Sequence, residues 1–194
     1  MKLFAIGAAA LVSLSASAVM AQTAAPVTHG AAIPGVCVFF SQGAVAQSNV
    51  GKAVAARLDQ LEGEVRTELQ PYATHIQTEG QALQQGAATI PADQRTQRGQ
   101  ALQQRYEEFQ TLQQTRSDEL RYTAAMQQQA IAQAMDPLVV AAYQEKGCSV
   151  LLNRESIFMA NPAMDLTATV VQRLNTALPT LSFNRMPVPA QPQS

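Results

Sequence analysis

This sequence predicts a mainly α fold with a small β body (α+β), in which a long antiparallel helical hairpin projects from a short-stranded sheet. Three observations predict it. The composition is 47% hydrophobic but only 5% aromatic with no Trp, and the apolar share is largely Ala beside abundant Gln, which suits a helical body better than a thick globular core. Two long stretches of matching length carry apolar residues at helical spacing. Short runs rich in β-branched and aromatic residues flank them at both ends.

Residues 1–21 carry the pattern of an export signal. Lys2 supplies the positive charge, an apolar run follows to Leu14, and Val19-Met20-Ala21 ends in small residues, so cleavage before Gln22 is expected. A retained membrane anchor is the competing reading. It is disfavoured by Ser13, Ser15 and Ser17 and by a run that barely reaches the ~18 to 20 residues of a spanning helix. Residues 22–34 hold little to bury and read as a flexible lead-in, with His29 a solvated side chain.

Val36-Cys37-Val38-Phe39-Phe40, bounded by Gly35 and by a turn at Ser41-Gln42-Gly43, is expected to be a buried strand. The period then changes. Leu58, Leu61, Val65, Leu69, Tyr72, Ile76 and Leu83 form one narrow stripe, a helix that packs against one partner and leaves its other faces wet. Pro71 interrupts this arm and predicts a kink near residues 68–71. Gly86 to Pro91 ends the arm and makes the tip, with Asp93 beside the positive end of the returning helix. The return carries Leu102, Tyr106, Phe109, Leu112, Leu120, Ala124, Ile131 and Met135. Arms over about 48–86 and 92–135 each span roughly 60 Å at 1.5 Å per residue.

Asp136-Pro137 reads as the cap and first position of a separate, shorter helix that ends at Lys146-Gly147. Residues 149–152 and 156–160 read as two short strands joined by a turn at Asn153-Arg154-Glu155, completing a β body over 36–40 and 149–160. Asp165 is expected to cap a closing helix over about 165–178, ended by Pro179, and residues 179–194, with Pro187, Pro189 and Pro192, are expected to be a disordered tail. The domain proper is thus 35–178. One strand and one hairpin cannot bury their apolar faces alone, so self-association is expected.

Charge removes several functional classes. The formal net charge is −1, and loss of Lys2 with the signal makes it more acidic. Clustered Lys and Arg of the kind nucleic acid requires are missing, and charge gives no indication of membrane contact by the mature chain.

The order of elements and two local segments resemble the Skp/OmpH family of periplasmic chaperones. The first segment is Val36-Cys37-Val38-Phe39-Phe40 followed by Gln47-Ser48-Asn49-Val50-Gly51-Lys52-Ala53, similar to that family's opening strand and small-residue entry to the first arm. The second runs from Glu145-Lys146-Gly147 through Asn161-Pro162 to Asp165-Leu166-Thr167. The resemblance covers residues 36–178 and implies a homotrimer in the periplasm, with hairpins hanging from a shared β body around a cavity. It implies that this cavity holds unfolded outer-membrane proteins without ATP. The near-neutral charge, Pro71 and the Pro-rich tail depart from the family pattern.

No constellation points to chemistry. His75 and Glu79 share a helical spacing that can seat a metal, but neither a second His nor a Cys accompanies them. Asp59, Glu62, Glu64, Glu107 and Glu108 are off the apolar stripes and beside Arg57, Arg66 and Arg105, so they read as exposed faces rather than an acid/base pair. No catalytic, metal or cofactor residues are therefore assigned, and the chain is expected not to be an enzyme. Tyr72, Tyr106, Phe109, Tyr122 and Met126 are candidates for client contact; the alternative is that they only stitch the two arms together. Cys37 and Cys148 either pair as a disulfide, in keeping with export, or stay as buried free thiols if sheet geometry keeps them apart. Two functions remain: an ATP-independent holdase for unfolded outer-membrane proteins, and a non-catalytic envelope adaptor or structural protein built on the coiled-coil hairpin.

Overall fold

The computed structural model describes residues 27–190; the expected export signal and the last four residues lie outside them. Residues 27–30 belong to a different unit from the body that begins at Ala31. The body opens with β1 (Val36–Phe39), whose Cys37, Val38 and Phe39 are buried. The expected turn after it is instead a short helix, α1 (Ser41–Gln47). Gly43 and Ala44 are buried there, so the small residues that suggested a turn serve close packing of a helix.

Ser48 separates α1 from the first arm and is fully buried. Its hydroxyl donates to the Val45 carbonyl at 2.8 Å and accepts from the Gly51 amide at 3.0 Å, which ends one helix and caps the next. Gly51 is required by this corner, because a β-carbon on it would lie 1.8 Å from the Val45 carbonyl oxygen. The arm α2 (Asn49–Gln85) then runs 37 residues and continues as helix through Pro71.

The return arm α3 (Ala92–Glu145) is one helix of 54 residues, about 80 Å at 1.5 Å per residue. The separate helix expected from Pro137 does not exist. Proline costs about 3 kcal/mol in a helix interior, but Ile131, Met135 and Ala142, on both sides of it, are buried in the core, and their packing holds the axis. Gly147, at φ +68°, supplies the left-handed turn at the C-terminus of α3, where the Cys148 amide donates to the Tyr143 carbonyl.

The chain comes back to β1 as β2 (Val150–Asn153), pairing in parallel with Val36 opposite Val150 and Phe39 opposite Asn153. A parallel partner is what a crossover through the whole finger must deliver. The second strand expected at 156–160 is not formed: Asn153 accepts from the Glu155 amide at 3.1 Å and starts a 3-10 turn over Arg154–Ser156. A further 3-10 turn over Pro162–Met164 follows Asn161. The other edge of β1 is met at Asp165, where the Leu166 amide donates to the Val38 carbonyl at 2.9 Å. The closing helix, α4 (Thr167–Ala177), buries Val170 and Leu174 against the root of the finger. Cys37 and Cys148 form a disulfide with Cα atoms 5.8 Å apart.

The stretch expected to be a disordered tail is placed through residue 190. Leu181 and Phe183 pack against the core, and the following residues cross the two arms. Proline density suggested disorder, yet an extended segment needs only an apolar surface and a few polar anchors to dock. No helix among the described residues is long and apolar enough to cross a membrane.

Candidate functional site

The finger divides along its length by what covers its apolar stripe. Near the root, Leu61 and Val65 on α2 and Ile131 on α3 are buried. Towards the tip the same stripe opens, with Tyr72 42% and Tyr106 45% exposed and Ile76, Leu83, Leu102 and Phe109 only half-buried. Pro71, Tyr72, His75 and Ile76 from α2 and Arg105 from α3 line an open cavity of about 450 Å3. Of the candidate contact residues, Tyr72 and Tyr106 thus lie in the open upper half. Tyr122 and Met126 are half-buried lower on α3.

Ion pairs tie the arms together at two levels. Near the tip, Arg98 donates twice to the Glu79 carboxylate, at 2.6 and 2.9 Å, and that guanidinium holds the Glu79 carboxyl below its usual range. Glu79 is therefore engaged across the hairpin rather than with His75 as a metal pair. At mid-height, Arg116 of α3 donates to Glu68 of α2 at 2.6 Å and pairs with Glu119 at 3.1 Å. Hydrogen bonding from Arg116 leads the causes that lower the Glu68 carboxyl, against an opposing push from burial. Glu64 pairs with Arg57 and Glu108 with Arg105, consistent with exposed charged faces. No group of His, Cys, Asp and Glu suited to a metal ion occurs among the described residues.

Sequence reasoning missed a second set of residues. Arg185 reaches Glu68 on α2 and Glu119 on α3, each at 3.0 Å. Arg57 donates to the Phe183 carbonyl at 3.2 Å and to Asn184 Oδ1 at 3.1 Å. The Met186 amide donates to Thr123 Oγ1 at 2.8 Å, and Gln127 is buried beside it. Thr123 and Gln127 are buried here while other Thr and Gln residues of the same helix are exposed, so the third element that covers this part of α3 left no signal in the sequence.

At the root, α1, α2 and α3 frame a larger groove of about 640 Å3 lined by Val45, Val54, Leu58, Ile131 and Met135 among others. In the β body, β2 offers an open edge whose Val150, Leu151 and Leu152 are 46%, 36% and 40% exposed, and Phe158 is 96% exposed. Contiguous apolar exposure of this kind marks an interaction surface.

A two-stranded body with an open apolar edge and a long, half-covered helical finger define the class of fold: a helical hairpin projecting from a small β body. The match to the family model of the outer membrane protein (OmpH-like) family, over residues 35–174, places the chain in that family. Among solved structures, it is similar to one from Caulobacter crescentus described as an OmpH-like outer membrane chaperone, with 38% sequence identity, a TM-score of 0.78, and coverage of 85% of this chain and 98% of that one. Comparison with curated proteins yields no match.

Proposed function

We propose that the chain is an ATP-independent periplasmic holdase chaperone, which binds unfolded outer-membrane proteins between helical arms and keeps them from aggregating. The observation that carries this reading is the opening of the apolar stripe towards the tip, where Tyr72 and Tyr106 stand half-exposed on a finger with wet faces. Such a surface is sequence-tolerant and adaptable. Membership of the OmpH-like family and the likeness to a described outer membrane chaperone support the same role. Tyr72, Tyr106, Phe109, Tyr122 and Met126 are the side chains proposed to meet clients.

A homotrimer completes the proposal. The open edge of β2 and the exposed Leu152 and Phe158 need a partner, and further copies of the chain supply a β body from which several fingers enclose a cavity. The test is aggregation of a urea-denatured outer-membrane porin on dilution. Stoichiometric amounts of the mature chain, without nucleotide, are expected to suppress light scattering; unchanged scattering refutes the holdase and favours a non-catalytic envelope adaptor.

A further inference from the structure

We propose that the groove crossed by residues 181–186 is a recognition site for an extended polypeptide segment, filled in cis by the chain's own C-terminal segment as a stand-in for a client. The identity of the client rests on the holdase reading above; the groove itself does not.

Three features of the contact define its ligand. First, two of the hydrogen bonds are to main chain, beside side-chain contacts to Asn184 and Met186: Arg57 donates to the Phe183 carbonyl, and the Met186 amide donates to Thr123. Thr123 is fully buried and its hydroxyl donates in turn to the Glu119 carbonyl at 2.7 Å, so the acceptor is held ready by the arm. Contacts to main chain accept many sequences. Second, the bound segment alternates, with Leu181 and Phe183 half-buried and Ser182 and Asn184 exposed. A period of two is that of a β-strand, and alternation of apolar with polar residues is the mark of strands in outer-membrane barrels. Third, one basic side chain is read by charge, because Arg185 sits between carboxylates of both arms at Glu68 and Glu119.

The occupant is suited to release. Residues 181–190 form no helix or strand, and they lie beyond the stretch 35–174 that matches the family. The segment is held by two main-chain hydrogen bonds, the Arg185 ion pairs and the half-buried Leu181 and Phe183, without a backbone ladder, and such a segment opens at less cost than a helix or strand of the core. A competing segment with the same alternation and a basic residue can therefore take its place.

The test uses the full mature chain and a fluorescein-labelled, amidated peptide of residues 181–190. Arg185→Glu sets a like charge against Glu68 and Glu119 and weakens the cis segment; Arg185→Ala does so more mildly should the reversal disturb folding, which circular dichroism reports. Both variants are expected to bind the peptide at least tenfold more tightly than the unaltered chain, by fluorescence anisotropy, and adding Thr123→Val should remove that gain. Equal affinity of variant and unaltered chain, or no binding by either variant, overturns the groove. A ten-residue strand peptide from a porin should displace the label; failure to compete overturns the part of the proposal that makes the segment a client stand-in. If the peptide binds as expected but porin aggregation is not suppressed, the holdase reading fails while the groove stands.

Discussion

Asp165 shows how one side chain can close a junction between three parts of the chain. Its carboxylate accepts from the Thr167 amide at 2.8 Å and from Arg154 at 2.7 Å, while Thr167 Oγ1 accepts from the Phe40 amide at 3.0 Å. Burial pushes the Asp165 carboxyl up, but hydrogen bonds from the Thr167 hydroxyl and amide and from Arg154 outweigh it, so it lies below its ordinary range. A carboxyl depressed by folding stabilises the protein at pH values above its unfolded pKa, and that contribution disappears as pH falls through the folded value. Asp165→Asn is expected to cost about 1 to 2 kcal/mol at pH 7, the scale of a charged hydrogen bond. Urea titrations at pH 7 and at pH 3 check this, with the gap between variant and parent narrowing at the lower pH.

Among the elements, the two long helices each tolerate a proline for different reasons. Both prolines are exposed, but Pro137 is flanked on its own helix by the buried Met135 and Ala142, whereas Pro71 lies on the stretch where the stripe begins to open and lines the cavity with Tyr72 and His75. Pro71 removes one backbone hydrogen bond of α2 without core packing to offset the loss. Pro71→Ala is therefore expected to stabilise α2 by roughly 1 to 3 kcal/mol, read as slower hydrogen exchange over residues 66–75. If exchange there is unchanged, neighbouring contacts already hold the helix at this point.

At the scale of the molecule, one covalent link closes the finger onto its base. The bridge between Cys37 and Cys148 spans 111 residues, and a loop of that size contributes about 4 to 5 kcal/mol by restricting the unfolded chain. Replacing both cysteines with serine should lower the urea midpoint accordingly, and dithiothreitol should lower that of the parent chain but leave the variant's unmoved. Assembly belongs to the same scale. Leu152→Glu places a charge on the open edge of β2 and is expected to leave monomers, by light scattering, if the proposed trimer forms through that edge; an oligomer that survives it places the subunit contacts elsewhere, with the root groove around Val45 and Met135 the next surface to alter.

The helical hairpin was legible from the amino acids alone, because an apolar stripe that recurs every three or four residues has only one economical conformation in water. The tip at residues 86–91 and the cap at Gly147 were legible for the same local reason, since glycine and proline constrain the backbone wherever they occur. What the sequence could not decide were matters of contact between distant parts. Ser41-Gln42-Gly43 has turn chemistry but packs as helix, and Pro137 has breaker chemistry but is carried through by the core around it. Residues 156–160 carry a short apolar run like that of a strand but find no partner edge, since the crossover delivers only β2 alongside β1. The segment beyond Pro179 is poor in local structure, and its place lies in Arg57, Glu68, Glu119 and Thr123, residues more than 50 positions away. Local periodicity determined the two long arms; only the tertiary structure decided how the shorter segments fold and which elements are covered and by what, because burial depends on surfaces that meet in space and not on their order along the chain.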